Sequence, residues 1–277
     1  MNDYLARHPD VFMAKKEIHY FGSDLKLKER PTAPEYLEHF KQGSGKKIVG
    51  EASVWYLYSK KAAKEIKQFS PGAKILIMLR NPVQFLHSLH SQHLFDNNED
   101  VQDFETAINL DEERKKGNRL PSSLDYYELP PYIDSALFAQ QVKRYYDVFG
   151  KENVKVILYD DFVKDTAGAV ADTFSFLGLE NIAIGDFKVI NPNKQARFFF
   201  LHRIIKNPSA KLRKLVRTIL PFKAVRHRIM LNLLNWNIRF KKRGEMNEQL
   251  RNRLKNVFAD DIRFLSEIII RDLSAWL

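Results

Sequence analysis

Cysteine is absent from this 277-residue chain. Its absence excludes disulfides, thiolate-ligated zinc, iron–sulfur clusters and thiol nucleophiles, and it fits a reducing compartment. Long apolar runs are missing too: no stretch approaches the roughly 20 apolar residues of a membrane span. The first residues show no basic-then-apolar signal pattern, which a start further upstream would hide. A third deficit is local. Between Asp186 and Glu245 there is no acidic residue, whereas Lys188 through Arg243 contribute 16 Lys and Arg. The formal charge of +11 is therefore concentrated in one block, and the remainder of the chain is net acidic. Such a block calls for an anionic partner: nucleotide phosphates, a polyanionic glycan, acidic lipid or nucleic acid. No repeat or low-complexity tract is present.

The length allows one large domain or two small ones, and a hydrophobic content of 44% suffices for a sizeable core. Short apolar runs at 74–79 and 154–159 read as strands covered on both faces, with a further short strand at 47–52. Helical patterns occupy 59–69, 82–95, 101–116, 134–149 and 166–177. Gly72, Gly117, Gly150 and Gly178 follow four of these stretches. Strands alternating with helices predict an α/β protein, a parallel sheet with helices on both faces. The Pro- and Ser-containing link at 120–131 has the length of a binding loop or lid. From Arg197 onward the chain is predicted helical and basic. In 246–270 the apolar residues Leu250, Leu254, Phe258, Ile262, Leu265 and Ile269 recur at helical spacing.

The most informative segment is the 74–79 strand running into Arg80-Asn81-Pro82-Val83, with Ser88 further on. Asn81 is a good N-cap and Pro82 a good first helical residue. Arg80 thus stands at the carboxyl end of a parallel strand, where open α/β sheets place ligands. A planar, permanently charged guanidinium beside a helix N-terminus suits a phosphate, and Ser88 adds a hydroxyl. On spacing alone, a surface Arg after a core strand accounts for the pattern equally well.

Arg80-Asn81-Pro82-Val83 with Ser88 resembles the 3'-phosphate-binding motif of the sulfotransferases that use 3'-phosphoadenosine-5'-phosphosulfate (PAPS). His8-Pro9-Asp10-Val11 and the following Lys16-Glu17-Ile18-His19-Tyr20-Phe21 resemble the segment after the phosphosulfate loop in the heparan-sulfate-type and bacterial carbohydrate branches. Gly50-Glu51-Ala52-Ser53 with Tyr56 is similar to the family's next block. Residues 132–149 are similar to its adenine-side helix, and Asp272-Leu273-Ser274 with Trp276 to its ending. The resemblance covers nearly the whole chain. It implies a P-loop-NTPase-like sheet flanked by helices and one sulfotransferase domain over 1–277, of which 197–277 is a mainly helical, basic part. It implies PAPS as co-substrate and 3'-phosphoadenosine 5'-phosphate (PAP) as product. The acceptor would be a carbohydrate hydroxyl, and no metal would be needed. By the same resemblance Glu17 is the catalytic base and His19 its assistant. Arg80 and Ser88 bind the donor, and Arg197, after Asn191-Pro192-Asn193-Lys194, belongs to a late basic loop that closes on the nucleotide. Phe138 falls where the family often has an aromatic beside adenine; a core-facing position on a helix is the stronger reading.

The sequence departs from the family in three places. The heparan-sulfate 3-O enzymes have an Asp where Gly22 stands and a Lys where Ala52 stands, which leaves the acceptor open. The family's opening strand and its Gly- and Lys-containing phosphosulfate loop would precede Met1. Either the true start lies upstream, the favoured reading because the other motifs are intact, or the chain is a truncated relative. Gly43-Ser44-Gly45-Lys46-Lys47 does not replace that loop. Phe40 and Lys47 stand where a P-loop has Gly and Ser/Thr, and the run precedes a strand instead of following one.

Other features favour plainer readings. Lys15 and Lys16 are expected to be a solvated pair. His87, His90 and His93 recur every three residues, a step that drifts around a helix, so a metal site is not expected. The amphipathic run 211–217 suits a glycan groove or an acidic membrane surface better than nucleic acid, since no aromatic interleaving is present for base stacking. The expected protein is a bacterial cytoplasmic enzyme, possible contact with acidic membrane being peripheral. The competing class is a non-catalytic polyanion- or membrane-binding protein built on the same fold.

Overall fold

A computed structural model describes the chain except for residues 16, 28, 122–129, 186, 188–193, 207 and 241–242. In chain order the elements are α1 (Asn2–Leu5), β1 (Val11–Met13), α2 (Ala33–Glu38), β2 (Ile48–Gly50), α3 (Ala62–Phe69), β3 (Ile75–Leu79) and α4 (Pro82–Asp96). Then come α5 (Phe104–Asn109), α6 (Asp111–Lys115), α7 (Tyr132–Ser135), α8 (Phe138–Phe149), β4 (Val154–Leu158), α9 (Tyr159–Lys164) and α10 (Thr166–Phe176). The chain continues through β5 (Lys194–Ala196), α11 (Phe199–Lys206), α12 (Ala210–Ile219), α13 (Lys223–Asn237), β6 (Ile238–Phe240) and α14 (Glu248–Ile269).

The strand–helix alternation yields the expected α/β class with parallel pairing. β1 pairs with β2, Val11 opposite Ile48 and Met13 opposite Gly50. β3 pairs with β4 from Ile75 opposite Val154 to Leu79 opposite Leu158. The chain divides into two compact units. The first comprises Met1–Phe85, Tyr126–Ile190 and Glu248–Leu277, the second Leu86–Asp125 and Asn191–Asn247. The basic C-terminal part is thus shared between them.

In the first unit, Tyr4, Leu5 and Val11 pack with Val170 and Phe174 of α10. α14 lays the expected stripe against this unit, burying Leu250, Leu254, Phe258, Ile262 and Leu265, while Ile269 is only half-buried. Asp261 of α14 accepts the Ala139 N–H at 3.2 Å and so caps the start of α8. Phe138 is buried beside Phe85, ring centres 5.3 Å apart, as the core-facing reading anticipated.

In the second unit, Glu99 is fully buried and paired bidentately with Arg114, at 2.6 and 2.8 Å. Glu99 also accepts the N–H groups of Asp100 and Val101, both at 2.9 Å. Breaking such a pair would strand a buried charge, so it fixes the path from α4 to α6.

Several elements differ from the sequence expectation. The helix expected over 101–116 is two helices, because Asp103 starts one by accepting the Thr106 N–H at 2.8 Å and Asp111 opens another. The helix expected over 134–149 is broken between Ser135 and Phe138. The basic region is not helical throughout: β5 and β6 pair antiparallel, Lys194 opposite Phe240 and Ala196 opposite Ile238. Strand β1 has three residues, too few to show a period. Most of the 120–131 loop, together with Lys16 and the 191–193 part of the late basic loop, lies outside the described residues.

Candidate functional site

The segment after β1 carries Glu17 and His19. His19 Nε2 lies 2.9 Å from Glu17 Oε2, with the imidazole largely covered and the carboxylate partly exposed. His19 has φ +53°, a left-handed conformation uncommon for a residue with a side chain. Such a conformation costs of order 1–3 kcal/mol and persists where its surroundings over-determine it.

Those surroundings are specific. Ser53 Oγ accepts the N–H of Ile18 at 3.2 Å and of His19 at 3.1 Å, and donates to Glu51 Oε2 at 2.9 Å. Tyr56 Oη accepts the N–H of Tyr20 at 2.9 Å and of Phe21 at 3.2 Å, and donates to Glu51 Oε1 at 3.0 Å. Tyr36 Oη donates to the same oxygen at 2.8 Å. One carboxylate therefore holds two hydroxyls that together collect four consecutive backbone N–H groups. Burial first, and the Glu51 charge second, push the Tyr36 and Tyr56 phenols far above the usual tyrosine range, so both stay protonated as donors.

The carbonyls of the same segment converge on Arg30. Its Nη1 donates to the carbonyls of His19, Tyr20 and Phe21 at 3.2, 2.8 and 2.9 Å. Its Nη2 donates to those of Gly22 at 2.6 Å and Leu25 at 3.0 Å. Glu65 of α3 accepts the N–H of Gly22 at 2.6 Å and of Ser23 at 3.2 Å. Gly22 has φ +81°, and a Cβ there would come within 2.9 Å of Ser59 Oγ. The departure from Asp at this position is thus a requirement of the turn. The result is a polar clamp around residues 18–25 that aims His19 at Glu17.

Arg80 follows β3, and Tyr159 follows β4. Because Leu79 lies opposite Leu158, the next residues stand side by side at the carboxyl ends of two parallel strands. The Arg80 guanidinium lies over the Tyr159 ring at 4.7 Å. Its polar partner is the neutral Gln84 amide, with Nε and Nη2 donating to Oε1 at 3.1 and 3.0 Å. Among the described residues no carboxylate neutralises it, so the cation remains available to an anion. Asn81 Oδ1 accepts the N–H groups of Val83 and Gln84 at 3.0 and 3.3 Å, the N-cap read from the sequence. At the chain's end, Trp276 Nε1 donates to Asp160 Oδ2 at 3.2 Å, and Trp276 O accepts from Asn81 Nδ2 at 3.3 Å. The C-terminal motif therefore braces both strand ends beside Arg80.

The structure brings Glu17 and His19 together. Arg80's contacts are local, with Gln84 and Tyr159, and no direct ion pair joins it to Glu17. Ser88 and Arg197 lie in the second unit. Ser88 is half-buried on α4. Arg197 donates its backbone N–H to Asn237 O at 2.7 Å, which ties it to the end of α13. Lys15 is exposed. His90 is buried and its Nε2 meets Val101 O at 2.8 Å, while His93 is wholly enclosed. Among the described residues no group of three His, Asp or Glu side chains is placed to hold a metal, and no helix is long and apolar enough to cross a membrane. Sequence reasoning gave no role to Arg30, Tyr36 or Glu65. Arg30 carried no signal beyond preceding Pro31, since what it binds is backbone.

Comparison with known proteins agrees with this architecture. Residues 61–185 match the sulfotransferase domain. The solved sulfotransferase from Alicyclobacillus acidocaldarius superposes with a TM-score of 0.69 at 29% identity, covering 99% of this chain and 91% of that one. The membrane-associated sulfotransferase kil1 of Dictyostelium discoideum is 32% identical over 94 residues, which is 32% of this chain and 19% of that relative. Mouse sulfotransferase SULT7A1 complexed with PAP aligns with 64% of this chain at 16% identity and a TM-score of 0.41, over 52% of its own length. The likeness to the Alicyclobacillus structure, with the parallel pairing of β1 with β2 and β3 with β4, gives the fold as α/β, P-loop-like. The chain is thus similar to sulfotransferases, through the domain match over residues 61–185 and the Alicyclobacillus structure.

Proposed function

We propose that this protein transfers a sulfuryl group from PAPS to a carbohydrate hydroxyl. The observation that carries the donor assignment is the Arg80 guanidinium at the paired carboxyl ends of β3 and β4, matched by no carboxylate among the described residues. Its charge and planar fork fit the 3'-phosphate of the nucleotide. Ser88 and Arg197 are assigned to the donor on the family resemblance.

Sulfuryl transfer needs the acceptor oxygen deprotonated as it attacks sulfur, while the bond from sulfur to the 5'-phosphate oxygen breaks and PAP leaves. Glu17 is assigned as the base. The His19 contact takes one carboxylate oxygen and leaves Oε1 for the acceptor hydroxyl. The clamp formed by Glu51, Ser53, Tyr56 and Arg30 supports this role by fixing the backbone that carries both residues. The carbohydrate class rests on the branch resemblance, and a cytoplasmic location on the cysteine-free composition.

The test is calorimetric titration with PAP together with turnover on glycan acceptors. Arg80→Ala is expected to abolish PAP binding while Lys214→Ala retains it. Glu17→Gln is expected to lower kcat by roughly 10²–10⁴ with PAP affinity unchanged. Equal PAP binding by wild type and Arg80→Ala would remove the donor assignment. Absence of PAP binding by the wild type would favour the non-catalytic polyanion-binding reading.

A further inference from the structure

The second unit presents a surface that includes none of the residues assigned above to sulfuryl transfer. Helix α12 is strongly two-sided. Leu212, Leu215, Val216 and Ile219 share one face, while Lys211, Arg213, Lys214 and Arg217 occupy the other. An amphipathic helix of a globular protein normally buries its apolar face, yet no residue of α12 is buried. Ile219 is 67% exposed. Phe222, at the turn into α13, is 72% exposed, and Trp236 near the end of α13 is 55% exposed. Arg226 fixes the turn by donating to Leu220 O at 2.7 Å and Pro221 O at 2.6 Å. Trp236 stacks on Phe198 with ring centres 5.9 Å apart, and both rings remain solvent-exposed. Exposed apolar groups this numerous mark an interaction site.

Charge identifies the occupant. Between residues 197 and 240 the chain has eleven Lys and Arg and no Asp or Glu. A second copy would bring two such surfaces together with no local acid to compensate. A soluble polyanion would satisfy the cations but leave Ile219 and Phe222 in water. An anionic bilayer meets both demands, with headgroup phosphates for the Lys and Arg side chains and the acyl boundary for the apolar face. We propose that α12 and α13 form an interfacial surface that docks this protein on anionic membranes, with Ile219, Phe222 and Trp236 entering the headgroup–acyl boundary. The proposal is independent of the sulfuryl-transfer assignment.

Tryptophan fluorescence supplies a direct readout. The chain has three Trp residues. Trp55 and Trp276 are only 5% and 4% exposed, so a change on lipid addition reports Trp236. The expected result with the full chain is a blue shift and quenching by brominated acyl chains on phosphatidylglycerol vesicles, and neither on phosphatidylcholine vesicles. Co-sedimentation with the anionic vesicles should weaken at least about tenfold in Ile219→Asp/Phe222→Asp and in Lys211→Glu/Lys214→Glu. Both pairs are exposed, and unchanged circular dichroism checks that the fold survives. Three outcomes would overturn the proposal. The first is an unshifted Trp236 spectrum on anionic vesicles. The second is vesicle binding that salt abolishes but Ile219→Asp/Phe222→Asp does not alter. The third is self-association in the absence of lipid that the same apolar substitutions abolish.

Discussion

Asn81 and Trp276, 195 positions apart in the chain, are joined by a hydrogen bond of 3.3 Å from the Asn81 amide to the Trp276 carbonyl. Asn81 uses its other side-chain atom to cap α4. Its amide is thereby oriented by the chain's end, and the Arg80 backbone beside it is fixed. Trp276→Ala removes a buried indole and its bond to Asp160; a loss of about 3–5 kcal/mol in urea unfolding is expected. Asn81→Asp keeps the capping acceptor and loses the amide donor. It should cost less than Asn81→Ala, for which about 1 kcal/mol is the usual loss of a cap. Equal costs for the two Asn81 variants would show that the cap and the brace are not separable.

Arg30 spends both terminal nitrogens on five backbone carbonyls between His19 and Leu25. Each buried carbonyl left without a donor costs about 1–3 kcal/mol, although water will satisfy the exposed ones. Arg30→Ala is expected to loosen residues 18–25. Limited proteolysis should then cut in this segment, and kcat should fall with PAP affinity unchanged. Arg30→Lys supplies the charge without the planar fork and should recover little. A variant with wild-type kcat would show that the clamp does not position Glu17 and His19.

Much of this was legible in the sequence, for identifiable reasons. The 74–79 strand, the Asn81 cap and the α14 stripe declare themselves through short apolar runs, cap chemistry and a 3.6-residue period. Arg80 was legible because its position relative to the strand end follows from its neighbours. The clamp was not, because Arg30 and Glu65 act on backbone atoms and Glu51 acts through the Ser53 and Tyr56 hydroxyls, contacts that leave no periodic trace. Strands β1, β5 and β6 were missed because three residues show no alternation. Their pairing partners lie 35 or more residues away, beyond any local pattern.

Tyr159 offers its ring to Arg80 at 4.7 Å. At a partly exposed site such a contact contributes about 0.5–1 kcal/mol, rising to about 2 when water is excluded. Nucleotide binding removes water, so Tyr159→Leu is expected to weaken PAP binding several-fold while barely moving the melting temperature. Tyr159→Phe keeps the ring and should bind as the wild type does. Titration of the three proteins side by side checks this. Equal affinities for Leu and Tyr would remove the ring from the donor site.

His93 sets a pH dependence whose sign is fixed by its enclosure. Burial pushes its imidazole down from 6.5 to about 4; the nearby Glu99 charge opposes this, while His90 and Arg114 reinforce it. The unfolded chain protonates His93 near 6.5, and the folded chain does so only near 4. Below 6.5 the unfolded state therefore holds the extra proton. The contribution is fully present above 6.5 and is lost as pH falls toward 4, by roughly 3 kcal/mol at about 1.36 kcal/mol per unit. His90, also lowered by burial, acts in the same direction. Asp103, lowered chiefly by its Thr106 hydroxyl bond, loses its contribution only below its ordinary 3.8, outside this window. Urea midpoints measured from pH 7.5 to 4.5 should decline in the wild type, and His93→Gln should flatten that decline. An identical slope in the variant would assign the acid sensitivity to other groups.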